Sequence, residues 1–403
     1  MADEWHNLFD HKAGFDPEGD FETFLKQVPA RGVVYLMTDA EDRPVQLLCV
    51  GNLRQSLKRR LGPQEQPPAA PESPAPAKPG LSKRVNYREL VRRVHWRRVD
   101  SPFEADWIYY EVARRVFPQT YQGMVGFRPA WFVHVDPDAN FPRYVKTVQL
   151  GRPGVYIGPV EDKHAAARLI ELAEDAFDLC RYYNVLTESP RGRPCAYKEM
   201  GKCPAPCDGS ISMPQYRRLV EWSAATLVSP GEMLADQERR MRAAAADLRF
   251  ETAAKIKAFI AQLCHLGKAG LRHARRLEDF AFLSLQRGPR AGTAKLFLIT
   301  PGKIEELAGL VAEPGPAAAA DLLHLSLALA AERRNQPVDP TGAERVGVVA
   351  HHLFAAKNTR GVFLHLHEVE EKALLKAYRD LGKQKPAEEI EGEGVVKELQ
   401  AME

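Results

Sequence analysis

The chain has 403 residues, of which 45% are hydrophobic and 27% are charged, and its formal net charge is +3. This length and composition are typical of two or three folded domains, and so small a net charge excludes a basic field over the whole surface. No apolar run is long enough to cross a membrane and no secretion signal is found, so we expect a cytoplasmic protein. In that reducing setting, clustered cysteines are metal ligands more often than disulfides.

The first predicted elements are a β-hairpin and a helix. Two apolar runs, 32–38 and 45–51, flank the turn-rich hexapeptide DAEDRP, and the run 53–61 has helical spacing. Residues 62–80 contain seven prolines, which predicts a disordered insertion inside this domain. A further helix is predicted over 101–118, because Ser101 is followed by a proline and then by Glu104.

Basic residues cluster in three short segments, which are 54–61, 82–99 and 272–276. Such clusters are expected where a protein contacts the phosphate backbone of nucleic acid, although a solvated helix face has the same composition. The arginines that we select as DNA-binding candidates are Arg59, Arg92 and Arg93.

The middle of the chain begins with short strands in AWFVHVD and YVKTVQL and a helix over 161–180. Residues 230–267 combine helical periodicity with an alanine-rich middle, which predicts a helical hairpin with one face left for a partner, or a purely structural pair of helices. Beyond residue 270 a hairpin that turns at 287–292 is followed by helices, and the acidic segment 387–403 is predicted to be loose.

Four of the six cysteines lie close together in the sequence, with the spacing C-x14-C-x7-C-x3-C. No histidine lies between the first and the last of them, so an all-thiolate metal site is the simplest interpretation. Composition alone leaves zinc and an iron–sulfur cluster open. The predicted ligands are Cys180, Cys195, Cys203 and Cys207.

These features occur in the order found in one family. The segment CAYKEMGKCPAPCDGSISMPQY resembles the cysteine-rich segment of UvrC, the nuclease subunit of bacterial excision repair, and NFPRY and VYIGPV resemble the sequence before it. MRAAAADLRFETAAKIKAFIAQL resembles the UVR helical hairpin, and residues 32–61 are similar to the start of a GIY-YIG nuclease domain. The resemblance runs from about residue 30 to 265 and does not extend to the second half of UvrC.

The resemblance implies a set of nuclease residues. In the GIY-YIG family a tyrosine activates water, an arginine neutralises charge and a helix glutamate holds Mg²⁺ or Mn²⁺. The corresponding residues are Tyr35 and Arg60, with Arg59 as a rival arginine. A gap-free match places the glutamate position at Tyr109, so Glu111 is selected through a shift of register, with Glu104 as a second carboxylate. The position of the second motif tyrosine is occupied by Cys49.

The resemblance also implies a cofactor and partners. UvrC-like proteins carry a 4Fe–4S cluster in the cysteine segment, which favours that cluster over Zn²⁺. Damaged double-stranded DNA is the expected substrate. A UvrB-like protein is expected to bind the UVR hairpin, with Leu248, Phe250 and Glu251 at the contact.

The predicted fold class is therefore α+β, in four parts: a GIY-YIG-like domain over 1–125, a linker and cysteine-rich segment over 126–225, a UVR hairpin over 230–267, and a C-terminal α/β region over 270–403. The predicted function is a single metal-dependent incision in damaged DNA, as in Cho-type nucleases. Two alternatives remain: a nuclease-dead module that binds DNA or UvrB, and a metal-binding UVR adaptor.

Overall fold

The computed structural model describes residues 5–63, 87–228, 230–264, 271–310, 313–334, 336–355 and 361–383. The proline-rich insertion from residue 64 onwards and the acidic segment 387–403 lie outside these residues. Helices and three antiparallel four-stranded sheets make up the described part, which confirms the α+β class. None of the described helices is long and apolar enough to span a bilayer.

The N-terminal sheet contains the predicted hairpin, and its strand order is β1-β4-β2-β3 with every neighbouring pair antiparallel. Much of the basic segment 82–99 is not a helix face but forms β4, an inner strand between β1 and β2. The strands are β1 (His11–Gly14), β2 (Val33–Thr38), β3 (Pro44–Val50) and β4 (Arg93–Arg98).

Each face of this sheet has its own apolar core. Side chains of the first three helices pack on the face that carries Tyr35, and α4 packs on the face that carries Val34. The predicted cap of α4 is present, since the Ser101 hydroxyl accepts a hydrogen bond from the Glu104 backbone N–H at 3.2 Å. The helices are α1 (Phe21–Gln27), α2 (Leu53–Leu61), α3 (Tyr87–Leu90) and α4 (Pro102–Val116).

The middle of the chain forms a second sheet with the order β6-β5-β7-β8 and a core shared with helices α6 and α9. Its strands are β5 (Trp131–Val135), β6 (Val145–Thr147), β7 (Val155–Val160) and β8 (Arg275–Arg276). The helices from here to residue 263 are α5 (Tyr121–Met124), α6 (Lys163–Ala176), α7 (Tyr183–Leu186), α8 (Ala196–Glu199), α9 (Met213–Val228), α10 (Pro230–Ala246) and α11 (Phe250–Leu263).

The C-terminal region has a core of its own, built on a sheet with the order β11-β10-β9-β12. Its other face packs against α4, where Phe103 meets Phe297 edge to face at 5.7 Å. Helix α4 is thus enclosed between the N-terminal and C-terminal sheets. The elements are β9 (Phe282–Arg287), β10 (Ala294–Thr300), β11 (Lys303–Leu310), α12 (Pro316–Arg333), α13 (Pro340–Phe354), β12 (Gly361–His365) and α14 (Glu371–Gly382).

Candidate functional site

Tyr35, the predicted catalytic tyrosine, lies in the middle of β2 and is 0% exposed. Its hydroxyl and the Ser56 hydroxyl on α2 are 2.9 Å apart and share a hydrogen bond. Burial raises the pKa of Tyr35 above its ordinary value, and the Ser56 hydrogen bond and the charge of Arg60 offset only part of that effect. A phenol in this environment holds its proton at neutral pH.

The two candidate arginines on α2 differ in their surroundings. The Arg60 guanidinium lies on the Tyr35 side of the sheet, donates to Gln46 Oε1 at 3.1 Å and lies 5.9 Å from the centre of the Tyr87 ring. Arg59 is exposed. Within the described residues, the contacts of Tyr35 and Arg60 include no carboxylate.

Cys49 lies on the other face of the sheet from Tyr35. Directly opposed residues in antiparallel strands share a face, and consecutive residues alternate. Cys49 is exposed and is paired with Val34, which lies in the core beneath α4, whereas Tyr35 is paired with Leu48. The cysteine that matches the second motif tyrosine in sequence therefore does not lie beside Tyr35. The neighbouring position on the Tyr35 face is a leucine.

Glu111 is also remote from Tyr35, because α4 covers the opposite face. Its carboxylate accepts from Arg345 Nε at 2.7 Å and lies 3.5 Å from Arg114 and 3.8 Å from Arg115. The structure therefore places the predicted metal ligand in a cationic cluster, with its charge already balanced. The reason is tertiary: Arg345 comes from α13, which packs on α4.

Glu104, the second candidate carboxylate, is a buried structural residue. It accepts from Lys295 Nζ at 2.6 Å and from the Asp100 backbone N–H at 2.8 Å. Burial raises its pKa, and the Lys295 ammonium opposes that shift. Lys295 also pairs with the Asp100 carboxylate at 2.8 Å, so the cluster joins α4 to β10.

The predicted DNA-binding arginines on and before β4 have partners within the protein. Arg93 pairs with Asp42 at 2.9 Å and donates to the backbone oxygen of Ala40 at 3.0 Å. Arg92 donates to the backbone oxygens of Glu89 and Val91, both at 2.8 Å. Both side chains hold local structure, and Arg59 is the exposed member of the predicted set.

A basic cavity that sequence reasoning missed lies beside Glu111. It has a volume of about 480 Å³ and is lined by side chains from β4, α4, β11, α12 and α13. Cations outnumber anions in the lining, where Glu111 and Asp339 are the carboxylates, and Glu305 outside the lining pairs with Arg333 at 2.6 Å and with Lys303 at 3.3 Å. These residues are far apart in sequence, and of the five cations only Arg97 belongs to one of the basic segments named above, 82–99. The cations are Arg97, Arg115, Lys303, Arg333 and Arg345.

The cysteine segment folds into a loop that brings thiols together. Cys180 and Cys207 are buried and Cys203 is half-buried, and a hydrogen bond between Cys180 and Cys203 lowers the pKa of the Cys203 thiol to about 7. Cys195 is half-buried at the start of α8. Backbone contacts support the loop, for example from the Gly192 N–H to the Cys207 carbonyl at 2.8 Å.

The donor set fits a soft metal or a cluster. No three of the four sulfurs lie within 4.8 Å of one another. In a tetrahedral zinc site with Zn–S bonds near 2.3 Å, neighbouring sulfurs are only about 3.8 Å apart. The described sulfurs are thus further apart than in a closed zinc site.

The hairpin of α10 and α11 exposes apolar side chains at its tip. Leu248 lies in the turn with a φ of 58° and is 73% exposed, and Phe250 at the start of α11 is 65% exposed. Glu251 beside them is exposed as well. In contrast, Phe259 on the same helix packs edge to face on Phe177 at 5.5 Å. One end of the hairpin is therefore anchored and the other is uncovered.

Comparisons with known proteins identify the family that the middle of the chain resembles. Residues 130–225 match the family model of the UvrC/Cho excinuclease middle domain. The chain is 26% identical over 236 residues to the UvrABC system protein C of Trichlorobacter lovleyi, which covers 57% of this chain and 36% of that protein. It is 25% identical over 289 residues to the UvrABC system protein C of Caldanaerobacter subterraneus subsp. tengcongensis. This match covers 71% of this chain and 45% of that protein.

A third relative, the UvrABC system protein C of Syntrophotalea carbinolica, is 33% identical over 127 residues, which is 31% of this chain and 21% of that protein. The matched region spans less than half of each of these three relatives. No solved structure matches the chain. The resemblance to UvrC that the sequence indicated is confirmed.

Proposed function

With this relation to UvrC as the premise, we propose that the chain serves nucleotide excision repair as a protein that binds damaged DNA and a UvrB-like partner, and that its N-terminal domain does not cut DNA. The observation that carries the second part is the separation of Tyr35 from Glu111 by the N-terminal sheet.

The GIY-YIG reaction needs a tyrosine, an arginine and a metal-binding carboxylate around one phosphate. Here the hydroxyl of Tyr35 is buried and hydrogen-bonded to Ser56, and burial raises its pKa. It therefore neither reaches bulk water nor gives up its proton readily. Glu111 is bound by Arg345, and a metal ion there would have to displace a guanidinium at 2.7 Å. Such a site lacks both the base and the metal ligand.

DNA contact is supported by the cations that remain available. Arg59 and Lys58 are exposed on α2, and Arg97 on β4 lines the basic cavity, whose other cations pair with Glu111 or Glu305. Exposed Lys and Arg side chains bind phosphates mainly by releasing counterions, which makes affinity depend on salt but not on sequence. We therefore move the proposed DNA contact from Arg92 and Arg93 to these residues.

The cofactor that we propose is a 4Fe–4S cluster on Cys180, Cys195, Cys203 and Cys207, with Zn²⁺ as the alternative. When bound, the cluster would supply a covalent link between separate loops of the middle domain. The chain contributes the four thiols, and the low pKa of Cys203 favours its thiolate form.

The proposed partner site is the tip of the α10–α11 hairpin. Two large apolar side chains that are mostly exposed next to one another are typical of a protein-binding surface. Glu251 adds a charge at the rim of this surface. A similar hairpin of a UvrB-like protein would cover Leu248 and Phe250.

A single metal-dependent incision with Mg²⁺ or Mn²⁺ remains a second candidate function. It is favoured by one observation, the position of Arg60 on the Tyr35 side of the sheet, where its charge acts on the phenol. The two candidates share DNA binding and differ in cleavage.

Fluorescence anisotropy with a duplex that carries one bulky lesion tests the binding function. Affinity should fall steeply with salt, and Arg59→Glu should reduce the slope of log K against log salt by about 1 or more. Arg168→Glu, an exposed arginine on α6, is the matched control and should leave the slope unchanged. Binding that does not depend on salt would contradict the proposal.

A further inference from the structure

A second potential metal site lies at the far edge of the N-terminal domain, away from the cysteines. We propose that His6, Asp42 and His95 bind one divalent transition-metal ion, such as Zn²⁺ or Co²⁺. The ion would tie the N-terminal segment to the β2–β3 turn and to β4. This inference stands apart from the proposed repair function.

The three side chains converge although they come from separate parts of the chain. Asp42 Oδ2 lies 3.9 Å from His6 Nε2, Asp42 Oδ1 lies 3.7 Å from His95 Nε2, and one ligand atom of each residue lies within 4.8 Å of the others. Ligands of a tetrahedral zinc ion with bonds near 2.1 Å are about 3.4 Å apart. Closing the His6–Asp42 contact by about 0.5 Å, and the wider separations by up to about 1.4 Å, would therefore seat an ion.

The donor types suit a transition metal. Two imidazoles and one carboxylate form a set that binds Zn²⁺, Co²⁺ and Fe²⁺, with room left for water or another ligand. His95 is buried on β4, an inner strand of the sheet, so its backbone position is fixed.

The carboxylate and the rings are held in place by neighbours. Thr38 Oγ1 donates to Asp42 Oδ1 at 3.2 Å, and Arg93 donates to the same oxygen at 2.9 Å. These bonds occupy Oδ1, the oxygen that faces His95, and leave Oδ2, which lies 3.9 Å from His6 Nε2, for the ion. The Trp5 ring stacks on His6 at 3.7 Å, which fixes the plane of that imidazole. Such outer contacts orient the ligands of metal sites.

The charges around the cluster limit its affinity. Arg93 touches the carboxylate, and Lys12 lies opposite His95 on the neighbouring strand. Both cations oppose a divalent ion, so we expect micromolar affinity and not the tight binding of a structural zinc finger. The ion is expected to stabilise the N-terminal segment without organising the domain.

Titration of the full chain with Co²⁺, followed by calorimetry and by absorbance, tests the site. Cobalt on nitrogen and oxygen lacks the intense near-ultraviolet band of cobalt on thiolate, which separates this site from the cysteines. His6→Phe keeps a ring to stack on Trp5 but removes the ligand, and Asp42→Asn keeps a side chain that tolerates the φ of 59°. Both should weaken the thiolate-free binding event by about tenfold or more.

His164→Ala is the matched control, since His164 is exposed at the start of α6 and outside the cluster. It should bind Co²⁺ like the wild type. Near-ultraviolet circular dichroism would show that Trp5 keeps its packing in His6→Phe. The proposal is overturned if the wild type shows no thiolate-free binding at 100-micromolar levels, or if folded His6→Phe and Asp42→Asn bind Co²⁺ as tightly as His164→Ala.

Discussion

Replacing Phe250 by alanine should weaken partner binding about 100-fold while leaving the fold intact. Phe250 is 65% exposed, so most of its ring contributes nothing to the core. A phenylalanine side chain buries about 200 Å² when covered, of which about 130 Å² is left here for a partner. At about 25 cal/mol per Å² this area corresponds to roughly 3 kcal/mol, or about 100-fold in Kd.

The assay is a titration of the full chain with a purified UvrB-like protein by calorimetry, with urea unfolding measured in parallel. Phe259→Ala on the same helix is the control, because Phe259 packs on Phe177. Because Phe259 is half-buried, its truncation should lower the free energy of unfolding by about 2 kcal/mol, less than that of a core phenylalanine, whereas Phe250→Ala should change it by less than about 0.5 kcal/mol. Equal partner affinity of Phe250→Ala and the wild type would refute the docking surface.

Two further variants test the structural assignments. Lys295→Met leaves the buried Glu104 without its cation and should lower the free energy of unfolding by about 3–5 kcal/mol in urea titrations. A change within about 0.5 kcal/mol would show that Glu104 does not depend on Lys295 and is free to bind a metal. Cys203→Ala should lose iron and sulfide from anaerobically purified protein and should destabilise the middle domain. Stoichiometric zinc without absorbance near 400 nm in the wild type would instead favour a zinc site.

Features encoded by short-range patterns could be predicted from the sequence. The β2–β3 hairpin follows from two apolar runs around a turn, and the start of α4 follows from Ser101 and Glu104. The hairpin of β9 and β10 likewise carries its own turn signal. In each case the residues that decide the structure lie within a few positions of one another.

Site residues whose partners lie far away in the chain could not be assigned in this way. Glu111 resembles a free helix carboxylate until Arg345, 234 residues later, packs against it. Arg93 belongs to a basic run in the sequence, yet β4 is an inner strand and pairs it with Asp42. The face of Cys49 depends on strand register, where a shift of one residue reverses the side chain.

The cluster of His6, Asp42 and His95 shows the same limit. Its members are separated by 36 to 89 positions and form no spacing motif in the sequence. Only the turn after β2 and the central place of β4 bring them together. The sequence offered one signal, the isolated histidine within an otherwise apolar and basic strand.

A nicking assay on damaged supercoiled plasmid tests whether the N-terminal domain cuts DNA. It contains Mg²⁺ or Mn²⁺ and uses protein concentrations that bind the DNA. We expect no cleavage by the wild type, and none by Cys49→Tyr, whose new hydroxyl would lie on the opposite face of the sheet from Tyr35. Metal-dependent nicking that disappears in both Tyr35→Phe and Arg60→Ala while DNA binding persists would show that the N-terminal domain is a nuclease.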